Sequence, residues 1–391
     1  MNKKLGLAVA GALVAFSSAA NAGITIPAGD WTVDIGGNVN AFATNTTSTA
    51  TGHSVGSAAA NGIGTGLLPA AFGIGAKTRQ NDLDIAFQFS FFTGTAQGAG
   101  STNLGAGNNS LNIRQAYMSF GDASWGTVTM GRNLGVYGSE VILSDMTLLG
   151  VGPIVGKVGG NATYGHIGSG YQYADWMGQI AYATPSFNGF QATVAVTEPY
   201  APNTAGSTNN QLGFQGKATY DFAANDVTGK VWVGGIYQDR NGASAFSTKG
   251  WEIGGKAAFQ GLELVGYYYN GDALSSVDSS VAATANGGLA IASAGAVLDS
   301  KDSGGFVQAT YKVPTIGTKV GVSWGSSNTK KNGQASEFEN SAWTVGAYHP
   351  LTKSLNLVAE YSRSEAETSG AAGSAGKVTG NTTSLGAILF F

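Results

Sequence analysis

The side chains in this 391-residue sequence whose ordinary pKa lies nearest neutrality are three histidines, His53, His166 and His349, and cysteine is absent. Imidazoles serve as metal ligands or as the base of a Ser/His/Asp relay, and both uses require partners held within a few ångströms. These three fall in an early loop, a long central loop and a short turn, with no local spacing that gathers ligands or a nucleophile. The stretch "GVGPIVGKVGG" is glycine-rich like a phosphate loop but lacks the Gly-Lys-Ser/Thr ending that binds phosphate and metal. The sequence therefore predicts no catalytic residue, no metal site and no cofactor. Without cysteine there is also no disulfide framework and no thiolate chemistry.

What the chain does must then come from how charges are displayed on a scaffold. It opens with "MNKKLGLAVAGALVAFSSAANA", which has two lysines, an apolar run and a small-residue site at Ala20-Asn21-Ala22. That is the pattern of a secretory signal peptide, so residues 1–22 are expected to be removed, leaving 23–391 as one domain. Its loss takes Lys3 and Lys4 and leaves 18 basic against 23 acidic residues. A mildly acidic balance argues against a nucleic-acid partner. No later run reaches the ~18 to 20 apolar residues of a spanning helix.

Glycine contributes 61 residues, only 11% of residues are charged, and aromatics make up 10%. Recurrent aromatic and β-branched residues exclude a disordered chain. In "DLDIAFQFSFF", Leu83, Ile85, Phe87, Phe89 and Phe91 lie on one face, opposite Asp82, Asp84, Ala86, Gln88 and Ser90. This is a period-2 strand. The alternation returns in "QLGFQGKATY", "WEIGGKAAF", "KVGVSWG" and "SLNLVAEYS". Turn signals divide the chain into sixteen strands near 31–44, 70–80, 82–93, 110–120, 125–136, 176–184, 189–198, 211–222, 228–239, 250–259, 261–270, 304–313, 317–326, 341–348, 354–363 and 381–391. Alternate connections are tight ("GDAS", "FAAND", "FQG", "HPLTKS"), and those between them are long and rich in Gly, Ser, Ala and Asn. The expectation is an all-β fold: a 16-stranded antiparallel transmembrane β-barrel with short periplasmic turns and long extracellular loops. No fixed-period repeat points to a β-solenoid.

A barrel turns its greasy faces to lipid and keeps its polar faces wet, with aromatics at the two interfaces. Trp31, Phe120, Trp125, Phe187, Phe190, Phe222, Phe259, Tyr311 and Tyr348 crowd the strand ends beside the short turns, as such a girdle requires. The sequence ends "SLGAILFF". In a closing strand Leu385, Ala387, Leu389 and Phe391 face lipid, which puts Phe391 in the girdle, while Ile388 and Phe390 turn inward and are less polar than a wet lumen normally offers. By parity the inward charges are Lys77, Arg79, Arg114, Lys217, Lys256, Lys312 and Lys319 against Asp84, Glu252, Glu263 and Glu360, an excess of bases that predicts a slight anion preference. A one-residue slip would reverse any strand. Arg132 shares parity with Val128 and Met130, so it reaches the lumen only through a bulge at Gly131 or by lying above the lipid band. The triplet Tyr267, Tyr268, Tyr269 straddles both faces: it either anchors at the upper girdle or stacks on a selected solute.

From about Asn112 the sequence resembles the Gram-negative general porin family, trimeric and sixteen-stranded. The resemblance rests on "NIRQAYMSFGDASWGTVTMGRNLGV", "ILSDM", "VGKVGGNATY" and "QIAYATPSFNGFQATVAV", taken in that order. It implies a third loop, about 137–175, folded into the lumen as a constriction. Arg114 matches the family's wall arginine, Arg132 the Gly-Arg-Asn arginine, Asp145 the acid at the loop tip, and Lys157 the basic residue of the returning stretch. Glu140 is added from its position in the loop, while a wall arginine of the family is replaced by Ala71. Loop acids facing wall bases across a wet gap would impose a transverse field on passing solutes. The resemblance implies as partners an outer-membrane bilayer, two further copies in a homotrimer, small hydrophilic solutes and ions, and assembly machinery that reads the C-terminal strand. A substrate-selective channel and a surface adhesin are the alternatives.

Overall fold

The computed structural model describes residues 23–51, 58–94, 111–154, 163–199, 207–208, 211–242, 246–274, 299–332, 337–369 and 376–391. Its strands are β1 (Ile24–Ala28), β2 (Trp31–Thr51), β3 (Ala58–Gly64), β4 (Ala70–Gln80), β5 (Leu83–Thr93), β6 (Asn112–Asp122), β7 (Gly126–Leu134), β8 (Trp176–Ala183), β9 (Phe190–Thr197), β10 (Ser207–Thr208), β11 (Gly213–Ala224) and β12 (Val227–Gly242). They continue as β13 (Phe246–Phe259), β14 (Leu262–Asp272), β15 (Ser300–Lys312), β16 (Lys319–Lys331), β17 (Glu337–Pro350), β18 (Leu355–Ser369) and β19 (Gly376–Phe390).

Apart from β3 and β10, each strand pairs antiparallel with the next along the chain, β2 passing to β4 and β9 to β11, and one long-range pairing, β19 with β2, joins the ends into a ring. β3 and β4 form two parts of one course along β2, and β1 and β10 are short additions, so the wall is a closed sixteen-stranded barrel. Closing the sheet removes the unpaired edges that would otherwise expose backbone to hydrocarbon. At the seam Phe391 exchanges backbone hydrogen bonds with Gly37, and β1 takes over as the partner of β2 where β19 ends.

Local chemistry sets the tight turns. Asn81 and Asp82 both take positive φ (46° and 62°) between the paired residues Gln80 and Leu83, and Gln260 and Gly261 do the same (46° and 88°) between Phe259 and Leu262. Positive φ at both central positions matches the twist of a two-residue hairpin, and Asn, Asp and Gly adopt it at least cost. Several strands run further than their alternation suggests. The stretch "TNTTSTAT" at the loop end of β2 has the composition of a loop, yet it pairs with Thr and Asn of β19, where Thr46 and Thr382 share a hydroxyl hydrogen bond of 3.0 Å. β1, only five residues long, and β3, which has no apolar alternation, find their partners on β2.

The outward parity is an apolar belt that includes Phe72, Phe87, Phe89, Ile180, Val194, Val233, Val322 and Leu385, all exposed. Trp31 lies against Phe87 and Phe120 against Trp125 in this outer layer at the turn end. Tyr348 departs from the expectation. It pairs with Lys319 and Val358 on the inward parity and is buried, so it belongs to the lumen and not to the girdle.

Candidate functional site

Between β7 and β8, residues 135–154 and 163–175 fold into the lumen and meet the inner wall from β11 around through β19 to β2 and β5. The inward parity of those strands is unusually greasy. Trp232, Ile236, Val265, Tyr267, Tyr269 and Phe306 bury Val141, Leu148, Ile167 and Tyr171 of the loop. Phe42, Phe92, Tyr348, Val358, Ile388 and Phe390 bury Met146, Val151 and Ile154. The inward Ile388 and Phe390 are thereby explained: they floor an apolar seat for the loop and are not wetted by the pore. Gly150 has no side chain because a Cβ there would strike the Glu360 carboxylate.

Polar clamps fix the loop's height and register. The Gln215 side-chain oxygen accepts from the Val136 and Tyr137 amides at 2.8 and 2.9 Å. Glu252, 1% exposed, accepts from the Gly138 amide at 3.1 Å and the Tyr267 hydroxyl at 2.8 Å. Gln308 both accepts from the Met146 amide and donates to the Ser144 carbonyl, at 2.7 and 2.9 Å. Glu360, 4% exposed, accepts from the amides of Val151 and Gly152 at 2.7 and 2.8 Å and from the Tyr348 hydroxyl at 2.6 Å. On the return, the Gly170 amide donates to Ser327 Oγ at 2.9 Å. His166 Nδ1 lies 3.3 Å from the Ser169 carbonyl, which can only accept, so Nδ1 carries the proton and Nε2 accepts from Ser323 Oγ at 2.8 Å. Burial holds the His166 pKa below its ordinary value and keeps the ring neutral for that role.

Glu140 sits in a short helical turn, Ser139–Ile142, where Lys217 reaches Oε1 at 2.5 Å and Lys230 reaches Oε2 at 3.4 Å. Burial alone would raise its pKa, but the two lysines reverse that and hold the carboxyl below the ordinary glutamate value. The charges therefore touch and do not face each other across a gap. Asp145 is 3% exposed and turned back into the loop, where it accepts from the Thr147 amide and hydroxyl at 2.9 and 2.8 Å and from the Tyr171 hydroxyl at 2.6 Å. It caps the 3-10 turn Met146–Leu149.

Arg114 reaches the lumen by a route that alternation does not predict. The parity that brings it inward would also bring Ala116 and Met118 inward, yet Met118 is 52% exposed outside and Gln115 and Tyr117 are buried inside. Ser90 pairs with Gln115 and Phe91 with Ile113, so Arg114 is the extra residue of a β-bulge and shares the inner side with Gln115. Its guanidinium lies 4.5 Å from the centre of the Phe92 ring and 5.9 Å from that of Trp176. Arg132 does not join it. Gly131 has a φ of 126° but stays in register with both Tyr117 and Gln179, so no bulge forms and Arg132 remains on the outer parity beside Met130. There it donates to the Ile113 carbonyl at 3.1 Å and pairs with Glu198 at 3.8 Å. Lys157 and His53 lie outside the described residues.

Lys77, Arg79, Asp84, Lys217, Glu252, Lys256, Glu263, Lys312, Lys319 and Glu360 all occupy inward register positions. They divide by level. Glu252 and Glu360 are consumed by the loop seat, whereas Lys77 (with Asp34, 2.9 Å) and Arg79 (with Asp84, 2.9 Å, and Asp122, 2.8 Å) lie near the short turns. Of the tyrosine triplet, Tyr268 packs outside against Trp251, while Tyr267 and Tyr269 face the loop and are covered by it. His349 is held by Thr318 at 2.8 Å at the end of β17, and among the described residues no cluster of His, Asp and Glu could hold a metal. The seat residues Gln215, Lys230, Gln308 and Phe306 were missed from sequence. The signal available was bulky apolar residues recurring on the polar parity of the last nine strands.

Solved structures with this architecture include the anion-selective porin of Comamonas acidovorans, at 17% identity and a TM-score of 0.60, covering 92% of this chain and 100% of that one. The outer-membrane channel DcaP of Acinetobacter baumannii gives 14%, 0.61, 95% and 100%, and OmpF of Salmonella typhi gives 15%, 0.59, 94% and 100%. OmpT of Vibrio cholerae, in a trimer form, gives 12%, 0.52, 92% and 99%. At these identities the likeness speaks for the fold alone. No curated protein sequence matches the chain. The model of the Gram-negative porin family, however, matches residues 8–369, nearly the whole length of a closed barrel with a loop folded inside it. The chain therefore belongs to the Gram-negative porin family, as an outer-membrane channel and not an enzyme.

Proposed function

We propose that the channel passes small hydrophilic solutes and ions down their gradients, filtered by size and charge where the connection between β7 and β8 enters the lumen. One observation carries this reading: the loop is fastened to the inner wall by clamps on at least six strands, which supports a constriction of fixed size. A rigid, narrow, water-filled passage with low-dielectric walls sorts solutes by the hydration they must shed and the field they meet. The selective field comes from the wall. Glu140 is neutralised by contact and Asp145 is turned inward, while the inward bases lend the passage a slight anion preference. Arg114, fixed on Phe92 and Trp176, is the base at the loop's own level.

Cleavage after Ala22, assembly guided by the C-terminal strand, and a homotrimer in the outer membrane complete the reading. The trimer draws support from the trimer form of the Vibrio cholerae protein. A substrate-selective channel that stacks its solute on Tyr267 and Tyr269 is disfavoured, because both rings are buried against the loop. Single-channel recording in planar bilayers tests the proposal. Ohmic steps that no particular sugar blocks support general diffusion, and small steps closed by one sugar overturn it. Chemical cross-linking in detergent, followed by electrophoresis, should yield a three-chain species.

A further inference from the structure

We propose that the turn-end wall of the lumen carries a binding arc for small multivalent oxyanions, formed by Lys256 on β13, Lys312 on β15 and Lys319 on β16. This rests on the channel reading above and names a solute class for it.

The ladder registers carry the inference. Lys312 and Lys319 are direct cross-strand partners, and Lys256 is the direct partner of Lys230, so the wall contains two like-charge pairs on its inner face. Directly opposed side chains stand ~5 Å apart at Cβ, and like charges so placed oppose the pairing. Relief from nearby acids is scarce. Lys230 is shared between Glu140 and Asp221, but Lys256, Lys312 and Lys319 make no ion pair among the described residues. Glu263 is the one inward acid on this stretch of β14. It stands diagonally between Lys256 and Lys312 with no salt bridge to either among the described residues, and it acts on Lys319 through space, so it offsets one of the three positive charges of the arc.

From the loop, Glu140 is held by Lys217 and Lys230, and Asp145, held by Thr147 and Tyr171, acts on Lys319 through space without forming an ion pair. Lys319 holds its ammonium 5.4 Å from the centre of the Tyr348 ring. Lys312 is exposed and Lys256 is half-buried, so both can meet a solute.

The spacing selects the ligand. From β13 to β15 is two strand separations, or ~10 Å, and to β16 three, or ~14 Å. A monovalent anion meets one ammonium at a time. A tricarboxylate or pyrophosphate spans two or three, and in a passage with low-dielectric walls their attractions add with little screening. The arc lies on the turn side of the loop, so an anion arriving from that side reaches it without crossing the constriction.

The test is side-specific block of single channels by citrate and by pyrophosphate, with acetate as the monovalent control, in the wild-type protein, in Lys312→Gln, and in the triple variant Lys256→Gln, Lys312→Gln, Lys319→Gln. Strand content by circular dichroism confirms folding, and the single variant serves if the triple variant fails to fold. Block by both polyanions at lower concentration from the turn side, weakened about tenfold or more in the triple variant and partly in Lys312→Gln, is the expected result. Channels that conduct normally but show equal polyanion block in wild type and variants, or none, overturn the arc and leave the channel reading intact. Folded wild-type protein that opens no channel overturns both.

Discussion

The loop seat and the lysine wall below it are built on the same strands, and they treat charge in opposite ways. In the seat every carboxylate has work within the protein: Glu252 and Glu360 accept from loop amides, and Glu140 is gripped by two lysines. A few residues nearer the turns, lysines oppose lysines. The difference teaches that burial, and not sequence parity, decides what an inward charge does. A charge under the loop must be paired or hydrogen-bonded because water is excluded, whereas a charge on the open wall can wait for a solute.

Emptying the seat of its strongest clamp should break this contrast most sharply. Glu360→Ala strands two amides and the Tyr348 hydroxyl, each costing about 1–3 kcal/mol if left unpaired. The loop tip should lift, giving a larger and noisier single-channel conductance, whereas Glu360→Gln, which keeps an acceptor, should stay close to wild type. Converting a seat charge into a wall charge comes next. Glu140→Gln releases Lys217 and Lys230, and the reversal potential in a salt gradient should move toward anions, with a loss of about 1–3 kcal/mol of loop fixation.

Acid should loosen the seat in two stages. The folded-state pKa of His166 is depressed by burial, so its contribution is present above the ordinary histidine range and is lost as pH falls below it. Glu140, also depressed, keeps its contribution until pH falls below the ordinary carboxylate range. Open-channel noise recorded against pH should therefore rise first at mildly acidic pH, and His166→Phe should remove that first rise. The smallest effect is expected outside the lumen. Arg132→Ala should leave conductance and ion selectivity unchanged and should cost no more than about 1 kcal/mol in thermal unfolding, as for an exposed ion pair.

How much of this was legible follows from the range of the forces involved. The hairpins around Asn81-Asp82 and Gln260-Gly261 are local turn chemistry, and the belt of Phe87, Phe89, Val322 and Leu385 is local alternation. The resemblance located the inward loop and brought Arg114 into view, and Glu140 was added from its position in that loop. It misled at Arg132, which an unbroken ladder keeps outside, and at Asp145, which serves its own loop. Tyr348 looked like a girdle residue because its neighbours in sequence mark a strand end, and the register with Lys319 turned it inward.

By itself the sequence determined the wall: period-2 alternation, tight turns alternating with long loops, and aromatics at the strand ends lead to a barrel, because each signal acts between near neighbours. Only the tertiary structure decided which charges meet. Glu252 finds the Gly138 amide across 114 residues of chain and Glu360 finds Val151 across 209. A pairing of that span exists only once the barrel has closed and the loop has entered it, because closure is what brings the two wall positions to opposite flanks of one water-poor seat.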